Sequence, residues 1–173
     1  MKVLLHTCCA PCASHCVFAL REKGFDVTLF FSNANIAPHD EFEKRLASAE
    51  VLARETGAEL IVDHPDHEEW TEVVAKGFED APEGGARCER CFRYSLSRTF
   101  QAARENGFGA FATSLTVSPH KRSETVFAAG REVGGEMFLE ENFKKKNGFL
   151  RSLELSEKYG LYRQNYCGCE FSR

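Results

Sequence analysis

Apolar residues in this chain come alternately as short runs and as helical stripes. Val3-Leu4-Leu5 is a compact run, and residues 13–23 then carry a helical pattern closed by Gly24. Val27-Thr28-Leu29-Phe30-Phe31 is a second run. Beyond an Asn-rich loop with Pro38, residues 40–56 put Phe42, Leu46, Ala49 and Ala53 on one helical face, and Gly57 stops the helix. Residues 58–62 form a third run, whose exit Asp63-His64-Pro65-Asp66 leads into a helix bearing Trp70, Val73 and Val74. Pro82-Glu83-Gly84-Gly85 reads as a loop, because the alternation resumes past it. A helix over 87–106, a strand over 108–113, a helix over 119–131, a weak strand over 136–139 and a last helix over 152–159 follow. Strands alternating with helices predict an α/β fold: a single-domain Rossmann-like three-layer sandwich with a mainly parallel sheet of about five strands.

Size agrees, since 173 residues suit one core, and no internal repeat divides them. With 43% hydrophobic and 28% charged residues the composition is that of a globular protein and excludes general disorder. The opening Met-Lys-Val-Leu-Leu-His is too short an apolar run for a signal peptide, and no segment approaches the roughly 20 apolar residues of a membrane helix. The expectation is a soluble cytoplasmic protein with no membrane partner. Net charge is -4 but uneven. Residues 143–173 hold Lys144, Lys145, Lys146, Arg151, Lys158, Arg163 and Arg173 against Glu154, Glu157 and Glu170, so this end is basic on an acidic body. That suits docking to a phosphate backbone, although the default reading of a Lys run is a solvated face.

Eight cysteines change the picture. In a reducing compartment, grouped cysteines bind metal or do redox chemistry more often than they form disulfides. Cys8, Cys9, Cys12 and Cys16 lie near the start, Cys88 and Cys91 mid-chain, Cys167 and Cys169 near the end. In a doubly wound sheet, ligands bind outside the carboxyl ends of the strands, and Cys8-Cys9, Asn33, Asn35, Asp66 and Thr113-Ser114 all fall there. Cys88-Glu89-Arg90-Cys91 opens a helix, where residues three apart share a face and the dipole favours thiolates. Cys8 and Cys9 would bring the ligand count to four, enough for zinc or a cubane cluster; a metal-free thiol-disulfide role also stays open. Neighbouring cysteines suit a larger cluster better than one ion, while buried apolar cysteine is the plain alternative, taken here for Cys16. Cys167-Gly168-Cys169 reads as a metal clamp or a strained redox pair. The six histidines form no ligand spacing, and no Walker or dinucleotide glycine motif is present, so electrons are expected to come through a metal or thiols.

The residues His6-Thr7-Cys8-Cys9-Ala10-Pro11-Cys12, Asn33-Ala34-Asn35-Ile36-Ala37-Pro38, Arg87-Cys88-Glu89-Arg90-Cys91-Phe92, Thr113-Ser114-Leu115 with Ser118-Pro119, and Tyr162-Arg163-Gln164-Asn165-Tyr166-Cys167-Gly168-Cys169 span nearly the whole chain. Together they resemble the cobalamin-independent iron-sulfur epoxyqueuosine reductase family. The resemblance implies two-electron reductive deoxygenation of epoxyqueuosine to queuosine at the wobble position of tRNA, with a [4Fe-4S] cluster on Cys8, Cys9, Cys88 and Cys91. It implies that Cys167 and Cys169 form a redox-active pair or bind a second, mononuclear iron, which Cys12 joins. The partner implied is tRNA carrying epoxyqueuosine; the electron donor stays unknown. Residues 143–173 would complete the metal site, and Asp66 by its loop position, or Tyr166, would be the acid at the epoxide oxygen. Asn142, where Asp is common, and Ser95, where Arg often follows the second pair, depart from the family pattern. A different class of function, a zinc-stapled tRNA-binding module without catalysis, fits the same cysteines.

Overall fold

The computed structural model describes residues 1–172; Arg173, counted in the basic end, lies outside them. Four strands, β1 (Lys2–His6), β2 (Asp26–Phe31), β3 (Glu59–Val62) and β4 (Ala110–Thr113), form one parallel sheet in the order β3-β2-β1-β4. Parallel strands need crossover connections, and the helices supply them: α1 (Ala10–Glu22), α2 (His39–Thr56), the short α3 (His67–Trp70), α4 (Ala86–Glu105), α5 (Ser123–Gly134) and α6 (Gly148–Tyr159). Strand alternation sorts the core into two layers. Val3 and Leu5 pack with Ala13, Val17 and Leu20 of α1, while Leu4 packs with Phe92 and Leu96 of α4 and Val126 of α5.

The fifth strand expected over 136–139 is absent. That stretch is a tight helical turn, Gly135–Met137, followed by one parallel bridge between Phe111 and Phe138. Pairing stops there because Glu140 and Glu141 turn away to ion pairs with Arg131 and Lys23. The third helix also differs: it holds only four residues and runs into a wide π turn, Thr71–Ala75, that leaves Val73 exposed. Helix α5 begins at Ser123 rather than at Pro119, and α1 begins at Ala10, three residues before the apolar stripe shows.

This last shift matters for chemistry. Cys9 is the extended residue just before α1, Pro11 sits in the first turn where its missing N–H costs nothing, and Cys12 therefore belongs to the helix N-terminus. The sheet order places β4 beside β1, with the crossover toward β2 leaving on the other side. Strand order reverses between β1 and β4, and a crevice opens above such a point.

Candidate metal centre

Above that reversal, the Sγ atoms of Cys8, Cys9 and Cys12 lie within 4.8 Å of one another. Ser114, just past β4, accepts a hydrogen bond from the Cys8 backbone N–H at 3.0 Å, and its hydroxyl lies 3.1 Å from the Cys8 sulfur. Buried His6 forms the floor: its Nδ1 is 2.9 Å from Thr113 Oγ1 and its Nε2 3.2 Å from the Ser32 carbonyl. Burial lowers its pKa, keeping the ring neutral. Asn33 donates to the Thr7 carbonyl at 3.0 Å, which ties the end of β2 to the cysteine loop.

The sulfurs do not share one acidity. Cys9 is held well below the ordinary thiol range, chiefly by Cys12 and then Cys8 acting as donors, with Gln164 adding to them and burial opposing. Cys12 is pushed well up, because Cys8 and Cys9 favour its protonated form and burial adds to this. Negative charge in the trio is thus favoured at Cys9, at the helix N-terminus where backbone N–H groups stabilise it. Cys16 is different: fully buried in the apolar core, its S–H donates to the Cys12 carbonyl, and burial raises its pKa.

A cavity of about 410 Å³ opens over the trio, walled also by Cys91, Cys167, Lys121, Gln164, Tyr166 and Ser95. A second cavity of about 280 Å³ adjoins it and carries Cys88, Cys91, Cys167 and Cys169. Cys91, Cys167 and Lys121 line both. Cys88 sits in the first turn of α4 and Cys91 in the second, so a second helix N-terminus faces the same space. The Gly84 N–H donates to Cys88 Sγ. Burial raises the Cys91 and Cys167 thiols, with Lys121 opposing the rise at Cys167. Lys121 is itself raised, burial being outweighed by the Cys167, Cys8, Cys12 and Cys9 sulfurs.

The C-terminal segment is tied over the cavity by buried Arg45. Its Nη1 and Nη2 donate to the Cys167 and Tyr166 carbonyls at 2.7 and 2.9 Å, and its Nε to Glu41 at 2.9 Å. Tyr162 donates its hydroxyl to the same Glu41, and Tyr166 donates to the Ala37 carbonyl at 2.7 Å. Gly168 adopts φ +135°, a backbone that favours glycine, and a Cβ there would stand tightly, 3.0 Å from side-chain atoms of Asn35 and Ile36.

Among the residues picked from sequence, then, Cys8, Cys9 and Cys12 come together tightly, with Cys91, Cys167 and Tyr166 on the wall of the same cavity and Cys88 and Cys169 in the adjoining one. Asp66 does not join them. It is exposed and caps α3, accepting from the Glu68 N–H at 2.9 Å, and lines neither cavity. Sequence reasoning does not single out His6, Arg45, Trp70 or Lys121. Their residue types usually belong to the core or the surface, and only the fold turns them toward the sulfurs.

The donor set tests what the site can hold. Thiolates with no carboxylate in the trio suit soft metals and iron-sulfur clusters rather than magnesium or calcium, and a cavity of this size exceeds what a single ion fills. The cysteines fit a metal or iron-sulfur centre.

Comparison with known proteins gives a family match over nearly the whole chain. The family model described as "Epoxyqueuosine reductase QueH" matches residues 3–173. A relative from Streptococcus pyogenes named "Epoxyqueuosine reductase QueH" is 40% identical over 99% of this chain and 70% of its own length. Another of that name from Thermotoga maritima is 38% identical over 98% of this chain and 89% of its own, and one from Staphylococcus epidermidis is 34% identical over 99% and 76%.

Proposed function

The chain belongs to the epoxyqueuosine reductase QueH family, and from that premise we propose that it reduces epoxyqueuosine in tRNA to queuosine with a [4Fe-4S] cluster on Cys8, Cys9, Cys88 and Cys91. Loss of an epoxide oxygen to leave an alkene consumes two electrons and two protons and releases water. Once bound, the cluster would supply electrons singly, and Lewis acidity would come from an iron with an open coordination position, such as a second one. A second, mononuclear iron is the further cofactor of this reading, with Cys12, Cys167 and Cys169 as its thiols. The alternative role for Cys167 and Cys169, a redox-active dithiol that delivers electrons from the unknown donor, uses the same position on the wall.

The supporting observation is that three chain segments distant in sequence turn thiols into adjoining cavities where the sheet reverses. Around them the chain's own groups do the rest. Lys121 brings a cation to the sulfurs and offsets their negative charge. Tyr166 stands on the cavity wall with its hydroxyl engaged at Ala37, and Lys121 lines the same wall. Asp66 is set aside as proton donor because its carboxylate is a helix cap facing solvent.

The tRNA side of the reading uses the basic end. Lys145, Lys146, Arg151 and Arg163 are exposed, and Phe149, Leu153 and Arg163 line the mouth of the larger cavity. Cations beside an exposed ring form a surface for phosphates and unstacked bases.

Anaerobic purification followed by iron, sulfide and zinc analysis and an assay on epoxyqueuosine-containing tRNA tests the proposal. A brown protein with about four iron and four sulfide per chain that forms queuosine is expected. Colourless protein with stoichiometric zinc and no turnover would establish the binding module instead.

A further inference from the structure

Trp70, the chain's single tryptophan, is 1% exposed, and its indole Nε1 is buried without a hydrogen-bond partner. Indole N–H is a donor only, and a buried donor without an acceptor is rare in folded proteins. The ring is not free to turn in search of one. It stacks on His67 at 5.4 Å and on Phe171 at 6.4 Å. His67 is in turn fixed by the Ala34 carbonyl and by Glu170.

Its neighbours are sulfurs. Trp70 packs in one apolar cluster with Cys169 and Cys91, and it lines the smaller cavity together with Cys88, Cys91, Cys167 and Cys169. The π turn that follows Trp70 is held against the cysteine-bearing turn of α4 by Arg90, which lies between Cys88 and Cys91 and donates to the Val73 and Val74 carbonyls. The indole N–H meets no acceptor in hydrogen-bond geometry. A metal-bound thiolate offers a strong one.

We propose that the Trp70 Nε1–H donates a hydrogen bond to the Cys91 sulfur when that sulfur is a metal-bound thiolate, and so raises the reduction potential of the centre. Donation to a ligand sulfur draws electron density away from the metal and stabilises the reduced state, which carries more negative charge. The inference rests on the reading of Cys91 as a ligand. Trp70 is a positioning and tuning residue here, since it acts on the centre through a cysteine.

Two substitutions delete the donor. Trp70→Phe keeps an aromatic ring in the stack, and incorporation of benzothienylalanine at the single tryptophan replaces N–H by sulfur with little change of shape. Both are made in the full chain, purified anaerobically, and compared with the unaltered protein for iron and sulfide content, midpoint potential and iron-sulfur stretching bands. Unchanged metal content, a more negative midpoint and bands at higher frequency are expected in both. Loaded variants with an unaltered midpoint overturn the inference and leave the cluster reading standing. Failure of both variants to load also overturns it, because Trp70 then builds the site and does not tune it. Unaltered protein that holds no iron overturns the metal reading and this inference with it.

Discussion

Eight cysteines of one chemical type occupy several physical environments, and those environments assign different work. Cys9 precedes a helix N-terminus and gathers donors from Cys12, Cys8 and Gln164, so its charge is stabilised before any metal arrives. Cys16, one turn past Cys12, has the opposite surroundings: Val3, Ala13 and Val17 of the core and a single bond to the Cys12 carbonyl. Cys9→Ser should therefore lose most of the bound iron, and its unfolding temperature should fall to that of the metal-free chain. Cys16→Ser should keep its iron and lose about 1 kcal/mol of stability, since the serine hydroxyl inherits the carbonyl partner but gives up apolar burial. Iron analysis with thermal unfolding of the two proteins separates these outcomes. Equal iron loss in both would show that Cys16 is a ligand.

At the scale of elements, the site is assembled from two helix N-termini and a tied-down tail. The β1-α1 and α4 parts of this were legible in sequence, because Val3-Leu4-Leu5 ends at Cys8-Cys9 and Gly85 precedes the Cys-x-x-Cys helix. The start of α1 was not, since Ala10, Pro11 and Cys12 carry no apolar stripe and proline reads as a break until it is seen in the first turn. The fifth strand misread Phe138 and Leu139 as an extended run, where one bridge beside Phe111 is all that forms. The tail's anchoring was invisible for another reason: Arg45 lies on α2 amid charged residues typical of a solvated face, and only the fold carries the tail's carbonyls to it. Arg45 and Glu41 are a buried pair, 2% and 8% exposed at their side chains. Removing one partner strands the other, so Arg45→Ala should cost about 3–5 kcal/mol and loosen residues 163–169. Limited proteolysis should then cut within this segment before global unfolding. Cutting at the wild-type rate would show that the tail is held by other contacts.

At the scale of the molecule, an acidic chain of net charge -4 must take up a polyanion, and the solution is segregation of charge. The acidic excess lies outside residues 143–173, while Lys145, Lys146, Arg151 and Arg163 stand exposed and Arg163 lines the larger cavity. Lys146 and Asn147 both have positive φ, at 57° and 59°, an unusual backbone for two successive residues that are not glycine. Such strain persists where surrounding structure enforces it, often at binding segments, and here it brings the chain into α6 with the lysines outward and Phe149 on the cavity rim. In sequence the Lys run suits phosphate docking or a plain solvated face alike, because composition does not say what a charged stretch borders. Its place in the turn leading to Phe149, which lines the cavity, gives it a measurable consequence. Deleting one cation that neutralises a phosphate makes the plot of log affinity against log salt shallower by roughly 0.7 to 0.9. The double variant Lys145→Gln, Lys146→Gln should therefore bind tRNA more weakly, with that slope reduced by roughly 1 to 2, while iron content and folding stay as in the unaltered chain. Titrations of tRNA at several salt concentrations read this directly. An unchanged slope would mean that the tRNA approaches the thiol cavity from another side, past Pro119 and His120, which line the same opening.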